Sequence, residues 1–465
     1  MINRFFIFIF LVVFALVPWR GSYAQNCFIQ YESLVSFKKP FLGAYSVWDS
    51  VTGKDDYDEQ FASGVRLDNN QIVVAGLREY RDFSAIGPNL KGKSLLIAEI
   101  DLRGRIVWDS YTKIAGLQEV HKILRHYDGY VVLATVQDSK GKSKAVLVFT
   151  DGRGKIENKK VIMKSGHSFL PRDIENSWDN KGFVMVASAE KNDQKGAFAV
   201  IYGLSGKGNV LWERSYRPGL NNILLSVSRS DERFYTMTGQ IENARGVQSG
   251  WVMKVADGGD LIWQQQYSRG AGSRLLAAAD FPRLGMVVAG QALPVGDGGS
   301  AAWVMMLNKQ NGEIVWQRFY RDKQNSLAND VIVGDGDGVV SVVTNSKPLK
   351  PGVGAAEQFV RLLTIDSRGS LFSRDDYLNS EGANAVQLLQ SRGRQRVLVG
   401  TTQQAYEVEV AEGEDPVTAR SLQGWVVSSP APEIFNDPCK AGNVQKAEGI
   451  GSADVSEPSV ESIFP

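Results

Sequence analysis

Apolar positions in this chain fall in short runs rich in valine, isoleucine and aromatics, and most of the runs open just after a polar turn. One series is Ile72–Gly76, Tyr130–Ala134, Phe183–Ala187, Phe234–Gly239, Met286–Gly290, Val339–Val343 and Val397–Gly400. Before them stand Asp68-Asn69-Asn70, Asp128-Gly129, Asp179-Asn180-Lys181-Gly182, Asp231-Glu232, Leu284-Gly285, Asp335-Gly336-Asp337-Gly338 and Arg392-Gly393, most of which suit hairpin turns. A second series follows after a variable gap: Leu95–Ile100, Ala145–Phe149, Ala197–Tyr202, Trp251–Val255, Trp303–Leu307, Phe359–Ile365 and Trp425–Ser428. Runs this short and this β-branched predict strands, and the chain beyond its N-terminal apolar run has no sustained 3.6-residue apolar period that would predict a helix. Seven members in each series predict seven similar units.

A third signal sets the period. Gly104 to Trp108 is followed by Tyr111, Gly208 to Trp212 by Tyr216, Gly259 to Trp263 by Tyr267, and Gly312 to Trp316 by Tyr320. A spacing of roughly fifty residues with strands inside each unit predicts a β-propeller, since one small sheet cannot bury both faces alone. In the second unit Asn158 takes the tryptophan place, and in the sixth Ser373 does, beside Phe372 and with Tyr377 kept. The last unit runs into Pro430 and Pro432 with no tryptophan strand of its own, but Val47-Trp48-Asp49-Ser50 repeats Val107-Trp108-Asp109-Ser110 near the start. The N-terminal strand is therefore expected to complete the seventh blade and leave no open edge there. Large aromatics at repeat spacing belong to cores, so Trp48, Trp108, Trp212, Trp263 and Trp316 are expected to plug the gaps between blades.

The 465 residues divide into an N-terminal segment at 1–24, a ring at 25–439 and a tail at 440–465. Arg4, the apolar run Phe5–Val17 and the small residues Ser22 and Ala24 fit a secretory signal cut near Ala24, which predicts a periplasmic or secreted protein without stable membrane insertion. Asn26 and Gln25 before Cys27 do not suit lipid attachment. Two cysteines, Cys27 and Cys439, flank the repeats, and an oxidising compartment favours their pairing in a disulfide. The tail is Gly-, Ser- and Glu-rich without period and is expected to stay disordered. With 52 basic and 51 acidic residues the chain has no overall field to draw nucleic acid, and no nucleic-acid partner is expected.

Catalytic signatures are scarce. His121, His126 and His167 are the only histidines, and neither cysteines nor paired carboxylates join them at metal-ligand spacing. No Gly-x-Ser-x-Gly is present, and Arg269-Gly270-Ala271-Gly272 is a linker, not a nucleotide fingerprint. Asp335-Gly336-Asp337-Gly338 begins like a calcium loop but lacks the acidic residue that would close the cage. These readings lead to the expectation of a chain that is not an enzyme and carries no cofactor or metal. The alternative is a carbohydrate-active or quinone enzyme with a site assembled from several blades, which two carboxylates about 5 to 9 Å apart in a deep central pocket would support.

Asp101-Leu102-Arg103-Gly104-Arg105-Ile106-Val107-Trp108 and Asn308-Lys309-Gln310-Asn311-Gly312-Glu313-Ile314-Val315-Trp316 resemble the tryptophan-docking repeat of PQQ-type propellers, and more closely the non-catalytic repeat propellers of exported bacterial proteins. The likeness runs over about Ala44–Ser429. It implies an extracytoplasmic bacterial protein of the superfamily that holds quinoprotein dehydrogenases and outer-membrane assembly scaffolds. The dehydrogenases have eight blades, an adjacent cysteine pair and calcium-binding acids, whereas this chain has seven units and no cysteine inside them. A sialidase box is not reproduced either, because Asp366-Ser367-Arg368-Gly369 has one residue too many.

Function is expected on the loops that join second to third strands, which all emerge on one face. Three are long: Asn345–Glu357, Thr401–Gln423 and Leu77–Ser94, from the neighbouring sixth, seventh and first units. The candidate binding residues are Arg78, Tyr80, Arg81, Phe83, Lys91, Lys347, Lys350, Tyr406, Glu407 and Glu409, with Tyr80, Phe83 and Tyr406 as aromatic anchors. The expected role is a rigid, monomeric binding or scaffolding platform for a cell-envelope protein or polysaccharide.

Overall fold

The computed structural model describes residues 32–36, 48–52, 57–82, 89–191, 196–230, 233–282, 284–294, 299–321, 324–334, 339–348, 358–377, 382–390, 395–408 and 417–430. They form a seven-bladed β-propeller of four-stranded antiparallel sheets. From the inside outward, the first blade is Tyr57–Arg66, Ile72–Asp82, Asn89–Ile100 and Ile106–Lys113, and the second is Leu117–His126, Gly129–Gln137, Ser143–Thr150 and Ile156–Ile162. His167–Asn176, Gly182–Lys191, Phe198–Ser205 and Val210–Tyr216 make the third, and Asn221–Arg229, Phe234–Glu242, Gln248–Ala256 and Leu261–Tyr267 the fourth. The fifth is Gly272–Phe281, Gly285–Leu293, Ala301–Leu307 and Ile314–Arg321; the sixth is Gln324–Val333, Val340–Pro348, Phe359–Ile365 and Leu371–Tyr377. The seventh has Ala383–Gln390, Arg396–Val408 and Val417–Ser429. Its outer strand is Trp48–Thr52, which pairs antiparallel with Val417–Ser429 in the register Trp48 to Ser428 and Thr52 to Gly424, as the repeated tetrapeptide predicts.

One strand was not foreseen. Glu32–Ser36 lies parallel on the outer strand of the fifth blade, Glu32 opposite Gln317 and Ser36 opposite Arg321. The strand that carries it buries Trp316 to Tyr320 without a break, whereas Leu261–Tyr267 at the same place in the fourth blade is mostly exposed.

In the second, third and fifth blades the two central strands are mostly apolar and buried because neighbouring blades sandwich both their faces. Inner strands touch from blade to blade around the ring, and Ala383–Gln390 meets Tyr57–Arg66 to close it. Each inner strand carries a β-bulge at the same height, between Phe61 and Ser63, Val120 and Lys122, Pro171 and Asp173, Leu224 and Ser226, Leu275 and Ala277, Ala328 and Asp330, and Ala385 and Gln387. The bulge presses its backbone onto the second strand. A Cβ on Gly400 would meet the Asn384 carbonyl oxygen at 1.9 Å, and one on Gly290 the Arg274 carbonyl oxygen at 2.0 Å, which is why the second strands of these blades end their apolar run on glycine.

The glycine of each Gly-x-x-x-Trp turn has positive φ, +87° at Gly259 and +75° at Gly312. Its bare α-carbon also receives the tryptophan of the preceding blade: a Cβ on Gly259 would stand 2.7 Å from the Trp212 ring, and one on Gly312 2.7 Å from that of Trp263. Trp263 donates to the Lys309 carbonyl at 3.0 Å, and Trp316 to that of Ser367 at 2.7 Å. Each repeat therefore uses its aromatics to grip the next blade's turn. Trp108 meets Gly154 in the same way, while the side chain of Trp48 lies outside the described residues. The second blade, with Asn158 in the tryptophan place, sets Lys160 and Leu147 against Gly208 instead.

Candidate functional site

The long connections of the first and seventh blades are built differently from the expected loops. Pairing continues up the second and third strands to Asp82 opposite Asn89 and to Val408 opposite Val417, so most of Leu77–Ser94 and Thr401–Gln423 is extended β-hairpin. Their sequences, with Arg78-Glu79-Tyr80-Arg81-Asp82 in one and Thr401-Thr402-Gln403-Gln404 in the other, hide these extensions from a reading that looks for apolar runs. Arg78 is committed within its own blade: its Nε stands 3.3 Å from Glu59 Oε1, and its guanidinium lies over the rings of Tyr57 and Tyr111 at 3.7 and 4.0 Å. Tyr80 packs edge-on against Tyr57, with ring centroids 5.3 Å apart, and stays exposed. Arg81, Lys91, Tyr406 and Glu407 lie on the paired strands, and their side chains are not described. Phe83, Lys350 and Glu409 fall outside the described residues, as do Cys27, Cys439, Asp335-Gly336-Asp337-Gly338, the N-terminal segment and the tail.

Lys347 is exposed and lines a cavity of about 640 Å³ on the face where second strands pass to third, which we call the upper face. Four blades contribute. The fifth gives Arg274 and Gln291, the sixth Asn325, Leu327, Asn329, Asn345 and Gln358, the seventh Asn384, Thr401, Gln403 and Leu422, and the first Gln60. Among the described residues amides dominate this wall and no carboxylate lines it.

Several of the amides are already engaged as clamps between blades. Asn345 Nδ2 donates to the Ala385 carbonyl at 2.9 Å and to Asn384 Oδ1, and its Oδ1 accepts the Ala385 amide at 3.0 Å. Asn325 Oδ1 accepts the Ser300 amide at 3.0 Å. Gln291 donates to Ser300 Oγ at 2.7 Å and accepts from Arg274 Nε at 3.2 Å. The side chains of Gln60, Gln358 and Gln403 have no such partner among the described residues. The cavity thus has a fixed frame and free amide heads, the pattern that reads hydroxyl groups.

Beneath the cavity the bulges set one residue per blade in a ring: Ser63, Lys122, Asp173, Ser226, Ala277, Asp330 and Gln387. Four of them stitch adjacent blades. Gln387 Oε1 accepts the Gly64 amide at 2.6 Å, Ser63 Oγ that of Ile123 at 3.2 Å, Asp173 Oδ2 that of Val227 at 3.0 Å, and Asp330 Oδ2 that of Leu388 at 2.8 Å. Lys122 reaches Asp173, Nζ to Oδ1 3.5 Å, and also feels Glu175 and Asp330, the latter from the opposite side of the ring.

Enclosure in the channel opposes the Lys122 ammonium, yet the three carboxylates lift its pKa above the ordinary lysine value. Burial raises the Glu175 carboxyl, with Lys122 pulling the other way. Burial pushes Asp330 up to about 6 despite Lys122 and the Leu388 and Val331 amides. Sequence reasoning foresaw no converging ionisable cluster. The ring brings one together because the bulge gives unlike residues from the second, third and sixth blades one common height. Aligning the inner strands on their bulges would have found it.

The histidines are dispersed. His121 bonds Thr135 Oγ1 at 2.7 Å, and burial, with Arg172 nearby, depresses its pKa to about 3. His126 packs among Tyr127, Phe149 and Phe183, and His167 stands edge-on to Phe198. Among the described residues no group of three or more His, Cys, Asp or Glu could hold a metal ion, and no helix is long and apolar enough to cross a membrane.

No protein-family profile matches the chain, and no curated protein matches it. Solved structures similar to it include a neuraminidase-like protein of A/little yellow-shouldered bat/Guatemala, at 12% identity and TM-score 0.37 over 83% of this chain and 99% of that one. Another is the acylaminoacyl peptidase of Pyrococcus horikoshii, at 8% identity and TM-score 0.39 over 74% of this chain and 49% of that one. A third is a GH43 beta-xylosidase/alpha-arabinofuranosidase from a compost microbial metagenome, at 9% identity and TM-score 0.35 over 71% and 98%. The likeness is one of fold, and at these identities no residue role passes across. It does correct one expectation. The solved propellers named here are a neuraminidase-like protein and two enzymes, so the reading of this chain as not an enzyme is withdrawn.

Proposed function

We propose that this chain is an exported propeller of the PQQ-like superfamily that binds a cell-envelope polysaccharide in the upper-face cavity between the fifth, sixth, seventh and first blades. The observation that carries this is the lining. Free amide heads at Gln60, Gln358 and Gln403 stand on a frame locked by inter-blade hydrogen bonds, and Leu327, Ala383 and Leu422 are the few apolar side chains among the lining residues. Protein interfaces rely on buried aromatic and aliphatic anchors, whereas saccharide hydroxyls pair with amides that both donate and accept.

The paired hairpins of the first and seventh blades would wall the cavity, and a Cys27–Cys439 bridge would tie the ends of the ring. Export and superfamily rest on the N-terminal apolar run and the tryptophan repeat. Affinity capture from the cell envelope tests the function. The captured material should be carbohydrate and resist protease, and Gln358→Ala with Gln403→Ala should weaken capture about tenfold, the loss of one or two hydrogen bonds. A protease-sensitive partner, retained by that variant, would overturn the reading.

The channel cluster favours a second reading, in which the bound saccharide is also cleaved. A buried carboxyl raised to about 6 suits a general acid, and Asn329, which lines the cavity, is the residue before Asp330. Release of reducing ends from the captured polysaccharide, lost in Asp330→Asn, would establish it; no release would remove it.

A further inference from the structure

Among the described residues the cavity carries two cations and no anion. Arg274 stands on the fifth-blade side and Lys347 on the sixth, and neither has a carboxylate partner among the described residues. Arg274 is half-buried, and burial lowers its pKa, with no acidic group among the described residues offsetting that cost. Elsewhere in the ring a buried guanidinium is matched: Arg361 meets Asp376 through Nε to Oδ1 at 2.6 Å and through a second nitrogen to Oδ2 at 3.0 Å. An unmatched guanidinium is costly to keep, which points to a ligand that supplies the missing charge.

Arg274 is also aimed. Its Nε donates to Gln291 Oε1, Gln291 Nε2 in turn donates to Ser300 Oγ, and Ser300 Oγ donates to the Ser326 carbonyl at 3.1 Å. This relay spans the fifth and sixth blades and fixes the plane of the guanidinium. It leaves the two terminal nitrogens without a partner among the described residues. A planar fork with two parallel donors matches a carboxylate, and Lys347 at the same wall adds a point charge.

We infer that the polysaccharide bound here is acidic, a chain of sugars that carry carboxylates, with one carboxylate seated on Arg274 and Lys347 and the hydroxyls on the amides. The inference rests on the proposed use of the cavity for saccharide. It goes further by naming the charge of the ligand.

The test is an array of oligosaccharides of galacturonate, glucuronate, mannuronate and guluronate beside the same chains with their carboxyls reduced to alcohols, and a polyglutamate peptide as the non-sugar anion. At least one uronate series should bind, its reduced form should bind tenfold or more weakly, and binding should fall with added salt. Arg274→Gln should cost at least tenfold. Lys347→Gln, at an exposed position where folding is not at stake, should cost several-fold. Equal binding of reduced chains, with both variants unaffected, would overturn the acidic reading and leave the saccharide reading standing. Binding of polyglutamate in place of every sugar would overturn both, as would the absence of any binding across the array.

Discussion

Tyr320 of the fifth blade donates its phenolic hydrogen to the carbonyl oxygen of Gly369 in the sixth, at 3.0 Å. Tyr267 makes the same bond to Gly312 and Tyr216 to Gly259, one blade boundary after another. The repeated tyrosine is thus the second hook of the motif, and tryptophan and tyrosine together close on a turn that only glycine fits. Gly369 has φ +78°, and a Cβ there would lie 2.9 Å from the buried Trp316 ring. Gly369→Ala should therefore destabilise the ring by about 2 kcal/mol, since the left-handed backbone alone costs about 1–2 kcal/mol. Tyr320→Phe should cost about 1 kcal/mol, one buried hydrogen bond. Urea midpoints of the two variants measure both effects, and a neutral Gly369→Ala would refute the grip.

Removal of residues 25–53 should turn the protein into an aggregating species. Without Trp48–Thr52 the strand Val417–Ser429 is left as an open edge, and without Glu32–Ser36 so is the outer strand of the fifth blade. Light scattering after size exclusion reports this. A truncated chain of unchanged size in solution and unchanged melting would contradict the role of these strands.

Acid should weaken the protein well above the usual carboxylate range. His121 is depressed from 6.5 to about 3 in the fold. The folded state then binds fewer protons than the unfolded one between these values, so the contribution is full above pH 6.5 and disappears as pH falls toward 3. At most it amounts to about 5 kcal/mol. His121→Asn, which keeps a partner for Thr135, should flatten the melting profile over that window, and a profile of unaltered slope would assign the acid lability elsewhere.

Lys122→Met removes the one cation that Asp173, Glu175 and Asp330 share among the described residues. Their mutual repulsion should then destabilise the ring at pH 7 far more than at pH 4, where protonation relieves it. Asp330 works in the same direction in the native protein: a carboxyl raised to about 6 contributes stability below its unfolded value of 3.8 that is lost as pH rises through 6. Thermal melting at the two pH values distinguishes this from a simple packing defect, which would cost the same at both.

The blade count, the strand order and the closure by Trp48–Thr52 were legible because each depends on residues that recur in kind, the glycine-ended apolar strand and the Gly-x-x-x-Trp turn. The candidate site was legible only in part. Lys347 was found, since it flanks a long connection, but Gln60, Arg274 and Gln291 sit inside regular blades where nothing in their own sequence marks them. The channel ring was hidden for a related reason. Ser63, Lys122 and Ala277 hold equivalent places with nothing in common chemically, and the bulge before each adds a residue that breaks the two-residue alternation by which a strand's faces are read. Glu32–Ser36 carries no glycine or tryptophan signal, and its parallel pairing with a strand nearly three hundred residues away has no local trace.

The bond network between Trp48–Thr52 and Val417–Ser429 joins the earliest-made blade strand to the latest. During synthesis the first must wait, unpaired, while some three hundred and seventy residues follow it, and Leu422 can give its amide to Asp58 only after the whole circle has formed. Loop closure over such a distance carries little extra entropy per residue but orders events strictly. Six blades can assemble from neighbours as they appear, whereas the seventh is the seal. A chain halted anywhere short of its last strand is therefore an open arc with two sticky ends, the species most exposed to misassembly and most in need of protection before the circle is complete.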